Sequence, residues 1–260
     1  MITPLARLGF VSKALIYAVV GGLAVAAAAR AGGRVTDTSG ALRFILRQPY
    51  GQVLLIVLAV GLCGYALWRV LDAYYDPDHH GRSFTGLAVR VGHAIRGSVY
   101  GALGIEAFRL ARGLRGSTGR EAQLWTARVM DVPFGEWLIG IFGLIVVFVG
   151  LTEVWCSLTA RLDKSIDLGR IPRAWRSAAV NVSRFGVGAR GVIIVVLGMF
   201  LVKAAVAHDP SEVHSTRQSM LELANAVSGQ WMLAAIGAGL IAYAVDQALH
   251  ARCRRIRPVG

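Results

Sequence analysis

The sequence predicts an all-α polytopic membrane protein, and three observations carry that prediction. Of its 260 residues, 55% are hydrophobic and only 17% charged, with a mean hydropathy of +0.55, too apolar for an ordinary soluble domain. The apolar residues fall in long runs, most of them near the roughly twenty residues that a helix needs to cross a hydrocarbon core. The runs also share a frame: the stretch from Arg7 to Gly21 is written again from Arg90 to Gly104 and, more loosely, from Arg184 to Gly198. The expectation is six transmembrane helices, arranged as three parallel two-helix repeats with short interfacial helices, around a pseudo-threefold axis along the membrane normal.

Taken in order, Leu8 to Ala29 is apolar apart from Ser12 and Lys13 and forms the first span. Its basic start and alanine-rich end resemble a secretory signal, but removing it would strip the first unit of an element that the other two keep. After the polar break Arg30 to Arg34, the segment from Ser39 to Gly51 places Leu42, Ile45 and Leu46 on one helical face and Arg43 and Arg47 on the other, a pattern suited to the membrane interface. Pro49 and Gly51 turn the chain, and Tyr50 to Trp68, free of charge, is the second span.

The second unit opens at Arg90. Its first helix has only a short stretch between Arg96 and Arg109, interrupted by Glu106, so its ends must snorkel or charge must sit inside the bundle. Arg120 to Asp131 repeats the interfacial segment, Pro133-Phe134-Gly135 repeats Pro49-Tyr50-Gly51, and Trp137 to Thr152 is the fourth span. In the third unit the spans run from about Gly186 to Val202 and from Trp231 to about Leu249, with an interfacial segment at Met220 to Val227. The whole chain, 1–260, is read as one membrane domain with repeats at 6–76, 88–160 and 182–254 and a basic loop at 156–182.

Lys and Arg are more numerous in the N-terminal tail, the even-numbered connectors and the C-terminal tail than in the odd-numbered connectors. Basic residues resist translocation, so both termini and the basic loop are expected in the cytoplasm and the protein in the cell (inner) membrane. The net charge of +13 does not point to nucleic acid, because the arginines lie between apolar runs and form no continuous basic stripe. The three cysteines, Cys63, Cys156 and Cys253, have neither disulfide nor zinc spacing.

Candidate sites follow from the repeat. Lys13, Arg96 and Arg190 occupy the same place in the three copies of the opening motif, each lying four residues after one glycine and eight before another. Facing the axis, they would form a ring able to attract an anion or a lipid phosphate; facing outward, they would snorkel to the inner headgroups. Glu106, with Arg109 three residues on, is a candidate intramembrane charge unless the helix ends early. Asp246 is another, for which structural pairing with a neighbouring arginine is the expectation. Gly9, Gly21, Gly61, Gly64, Gly92, Gly104, Gly186 and Gly198 are expected to permit close helix crossings. His79 and His80 with Asp76 and Asp78 fit a solvated loop better than a metal site, since no spaced helical motif supports them. No hydrolase, metalloprotease, P-loop or dinucleotide fingerprint is present, so neither catalysis nor a cofactor is expected.

The repeated Arg-x-Gly motif with its internal cation, the Ser-Gly-Ala-Leu to Pro-Tyr-Gly turn and the Gly-Leu-x-x-Tyr-Ala second helix together resemble a bacterial family, the domain-of-unknown-function family twelve hundred and six. The resemblance covers about Arg7 to His250 and implies a bundle of tandem two-helix units; it implies no activity. This chain departs at Ile194, which stands in the place of the motif's tyrosine, and at Val227-Ser228-Gly229, which replaces the Pro-aromatic-Gly turn. Two functions fit: a non-enzymatic scaffold or accessory subunit engaging anionic lipid or another membrane protein, or a path for small anions along the pseudo-threefold axis.

Overall fold

The computed structural model describes residues 2–30, 35–75, 84–114, 116, 121–159, 172–209, 217–218, 220–221 and 229–253. Among them are eight longer helices and no strand: α1 Ile2–Ala28, α2 Thr38–Leu46, α3 Gly51–Tyr75, α4 Phe84–Ala111, α5 Glu121–Met130, α6 Gly135–Leu158, α7 Arg173–Ala207 and α8 Gly229–Cys253. Five, namely α1, α3, α6, α7 and α8, are long and apolar enough to cross a membrane. The helix α4 is as long, but Arg90, Arg96, Glu106 and Arg109 keep it outside that set.

The helices lie side by side in the order α4, α3, α1, α8, α7, α6. Every neighbouring pair is antiparallel. Gly97 and Gly104 of α4 meet Ala66 and Cys63 of α3, Gly21 of α1 meets Gly237 and Ile241 of α8, and Gly150 and Gly198 of α6 and α7 meet Val195 and Val147. The first helices of the three units, α1, α4 and α7, consequently run in one direction and α3, α6 and α8 in the other. Without a hydrophobic drive between apolar helices, such small-residue crossings supply the association through packing.

The short amphipathic helix α2 starts where Asp37 accepts a hydrogen bond from the Gly40 amide at 2.8 Å. It buries Ala41, Leu42 and Ile45, the face the sequence predicts, against α1, α3 and α4. Its successor α5 touches α6 and leaves Leu124 and Trp125 exposed. Both units turn identically after these helices: Tyr50 and Phe134 take positive φ of 60° and 66°, at a cost of about 1–2 kcal/mol for an L-residue. Gly51 and Gly135 follow because a Cβ there would collide with the Leu46 and Val129 carbonyls. The two aromatic rings point outward, 87% and 79% exposed, as anchors in a headgroup layer do.

Some expectations are corrected. The basic segment expected as a loop over 156–182 is shorter, because α6 continues to Leu158 and α7 already begins at Arg173. The third interfacial segment lies outside the described residues except Met220 and Leu221, and so does the Asp76, Asp78, His79, His80 group.

Candidate functional site

Counted from the glycine that opens each second helix (Gly51, Gly135, Gly229), Tyr65, Val149 and Tyr243 share one position, and Arg69, Glu153 and Gln247 another. With Tyr17, Tyr100 and Ile194 of the first helices, and the cations Lys13, Arg96 and Arg190, these side chains make an aromatic layer and a polar layer across the bundle.

Lys13 is buried, 4% exposed. Its ammonium nitrogen lies 4.5 Å and 4.6 Å from the ring centres of Tyr100 and Tyr65, and 5.5 Å from that of Phe10. Rings with their negative faces turned to a cation stabilise it by about 2 kcal/mol when desolvated. Its hydrogen bond to the Tyr65 hydroxyl is long, 3.5 Å. The cage is held together by an edge contact of Tyr65 on Tyr100, one of Tyr17 on Tyr243, and a 3.2 Å hydrogen bond between the Tyr17 and Tyr100 hydroxyls.

Arg190 also points inward. Its guanidinium donates to Glu153 and lies 5.1 Å from the Tyr243 ring. Arg96 differs: it is 44% exposed and stands 3.9 Å from the same Glu153 oxygen. The structure therefore brings two of the three predicted cations into the interior and leaves the third at its edge. Glu153, which was not among the residues the sequence singled out, is shared between two of them, and its second oxygen has no hydrogen-bond partner among the described residues. Comparison of Glu153 with Arg69 and Gln247 at the same repeat position is the sequence signal that distinguishes it.

In the first unit's part of the polar layer, Arg69 donates to the Tyr65 hydroxyl at 2.9 Å and pairs with Asp72, which also meets His93. Asp246 is paired, but with Gln247 and His250 where an arginine was expected. His250 lies one helical turn along the same face, near enough to reach without another helix. The ring of His250 stacks on Phe10, 5.7 Å between centres. Glu106 accepts from the Ser39 hydroxyl of α2 at 2.8 Å, and α4 continues past it to Ala111, so the helix does not end early.

Where α4 and α6 should meet as the two helices of one unit, they scarcely touch. Between them opens a cleft of about 760 Å³. Its walls are apolar, with Ile95, Val99 and Leu103 on α4 facing Phe142, Ile145 and Val149 on α6, and Tyr17 and Ile194 at the back. Arg96, Glu153 and Arg190 stand at one end, Glu106 and Arg109 at the other.

The glycines explain the gap. In the first unit Gly9 packs on Gly61 and Tyr65; in the third Gly186 packs on Ala242 and Tyr243, and Gly239 on Ala189. The residue of α6 at the place of Gly61 and Gly239 is Ile145, whose branched side chain forbids that approach. Gly92 accordingly has open space where a Cβ would sit, so its expected packing role is not met. Gly9, Gly21, Gly61, Gly64, Gly104, Gly186 and Gly198 all lie at close crossings.

The arginine that opens the repeated motif carries a task that its spacing did not reveal. Arg90 donates to the carbonyls of Ala73 and Tyr74 at the end of α3, and Arg184 donates to those of Ser157 and Leu158 at the equivalent end of α6. A cation on the last carbonyls of a helix satisfies orphan acceptors and opposes the helix dipole. Each of these arginines thereby clamps its own unit to the one before it.

Comparisons with known proteins agree with the internal repeat. Residues 8–76, 91–160 and 185–254 each match the family described as Domain of Unknown Function (DUF1206). The chain is also similar to a protein of Bacillus subtilis (strain 168) named "Uncharacterized protein YxxB", 34% identical over 237 residues that cover 91% of this chain and 86% of that one. No solved structure gives a significant match. With three matched units spanning most of its length, the chain belongs to the family described as Domain of Unknown Function (DUF1206).

Proposed function

We propose that the protein is a non-enzymatic scaffold or accessory subunit of the cell membrane that crosses the bilayer six times, with both termini in the cytoplasm, and engages anionic lipid of the inner leaflet. The sixth crossing is α4. Its residues from Gly97 to Ala111 run beside α3 from Val70 to Gln52, whose side-chain amide reaches the Ala111 carbonyl at 2.9 Å, and α3 is long and apolar enough to cross on its own. With α1, α4 and α7 parallel, each unit inserts in one orientation, and the three units stand around an approximate threefold axis. The excess of basic residues on the sides of the termini supports the orientation.

The observation that carries this reading over conduction is the crowded interior. Lys13 is enclosed by aromatic rings and Arg190 is engaged by Glu153, so the attracting groups of a would-be anion path face tyrosine and carboxylate. Attraction remains at the edge, where Arg96 is half exposed. Reconstituted vesicles test the choice: chloride efflux should equal that of protein-free vesicles, while the purified protein should carry more phosphatidylglycerol than the membrane it came from. Efflux that falls on Lys13→Gln would favour the anion path.

A further inference from the structure

We infer that the cleft between α4 and α6 is a lipid site: it takes one anionic phospholipid of the inner leaflet, with the phosphate at Arg96 and one acyl chain laid between the two helices. This rests on the lipid-engaging reading above and gives it a place.

Size decides the class of occupant. The cleft holds about 760 Å³ and is lined mostly by apolar side chains. The cleft lies within the range of about 300–1,000 Å³ that small ligands fill. Its length makes the same point. From Arg96 to Glu106 the helix rises about 15 Å, half of a hydrocarbon core of about 30 Å and so the depth of one leaflet. An acyl chain from the inner leaflet fits that depth, whereas a transmembrane helix would run past Glu106 and Arg109, which line the far end.

Charge decides the head. At the near end Arg96 and Arg190 outnumber Glu153, and Lys13 lies behind them among Tyr65 and Tyr100. The Glu153 carboxylate is turned to Arg190, so the exposed Arg96 keeps guanidinium donors for an incoming acceptor. A net positive end with forked donors suits a phosphodiester; a headgroup of no net charge gains less from it. The walls, in turn, are apolar: Val149 and Ile194 present methyl groups where the aromatic layer elsewhere presents tyrosine, and Val99 adds another beside them. The groove exists because Ile145, Val149 and Ile194 depart from the glycine and tyrosine pattern at one side of the bundle only.

The experiment is native mass spectrometry of the full chain, delipidated in mild detergent and titrated with equal amounts of phosphatidylglycerol and phosphatidylcholine. Wild type should retain one phosphatidylglycerol in preference to phosphatidylcholine. Val149→Trp, which fills the cleft and leaves every charge in place, should abolish that retention, and Arg96→Gln should cut the preference about tenfold. Retention unchanged in Val149→Trp overturns the site. If it is then lost on Arg173→Gln with Arg176→Gln, anionic lipid binds at the start of α7, and the broader reading stands without the cleft. Equal retention of both lipids by wild type defeats the broader reading too. Should Val149→Trp fail to fold, phosphatidylglycerol with a photoactivatable acyl chain answers on the wild type: adducts at Val99, Val149 or Ile194 support the site, and adducts confined to the outer face of α6, around Leu144 and Leu151, overturn it.

Discussion

In the first unit α1 lies against α3, Lys13 is enclosed by three rings, and α2 tucks its apolar face onto the bundle. In the second, written from the same opening motif, α4 and α6 part, Arg96 is half exposed, and α5 rests on α6 with Trp125 outward. The third unit, whose motif and turn depart most from the pattern, packs α7 on α8 as closely as the first packs its pair. Identity of the opening motif therefore does not decide whether a unit closes. Closure depends on the second helix, on whether glycine and tyrosine or Ile145 and Val149 stand four residues apart.

That contrast can be broken at its charges first. Arg190→Leu should cost about 3 kcal/mol, since it leaves the largely buried Glu153 with only the long contact to Arg96, whereas Arg96→Leu should cost under about 1 kcal/mol because its pair is long and half exposed. Thermal unfolding in detergent followed by circular dichroism compares the two; equal losses would mean that the repeated cations are equivalent after all.

Transferring residues between units sharpens the contrast further. Gly61→Ile writes the middle unit's residue into the first, where a Cβ already lies 3.0 Å from the Leu8 carbonyl, and should cost about 3 kcal/mol by overpacking. Gly92→Ala, facing open space, should change stability by no more than about 1 kcal/mol, with gain favoured by helix propensity. A large loss at Gly92 would show that α4 and α6 meet there. The smallest effect is expected from the converse exchange, Ile145→Gly with Val149→Tyr, which should draw α4 toward α6. Spin labels at Ile105 and Phe142, which line the cleft at one level, would then approach by a few ångströms, toward the roughly 8–10 Å between axes of packed helices; an unchanged separation would mean that other residues hold the pair apart.

Much of this was legible in the sequence. The period of the opening motifs, the Pro-aromatic-Gly turns and the amphipathic face of α2 are local patterns, each with its own steric or hydrophobic cause, and each is found where the sequence puts it. The positions of Lys13 and Arg96 were not legible, because a repeated motif fixes depth and face but not what stands opposite. Lys13 is enclosed by Tyr65 and Tyr100 from two other helices, while Arg96 meets Glu153 across a gap. The gap itself had a signal in Ile145, visible once the second helices are aligned on their opening glycines. The arginine clamps had none, since Arg90 and Arg184 act on carbonyls, which carry no residue signature.

The central claim is that α4 crosses the membrane beside α3 although its charges disguise it. Single cysteines placed at Leu87 and Leu114 in a background with Cys63, Cys156 and Cys253 replaced, and labelled in intact cells with a membrane-impermeant maleimide, test it directly. Leu114→Cys should label from outside and Leu87→Cys only after permeabilisation; both labelling from one side would contradict the six-crossing account.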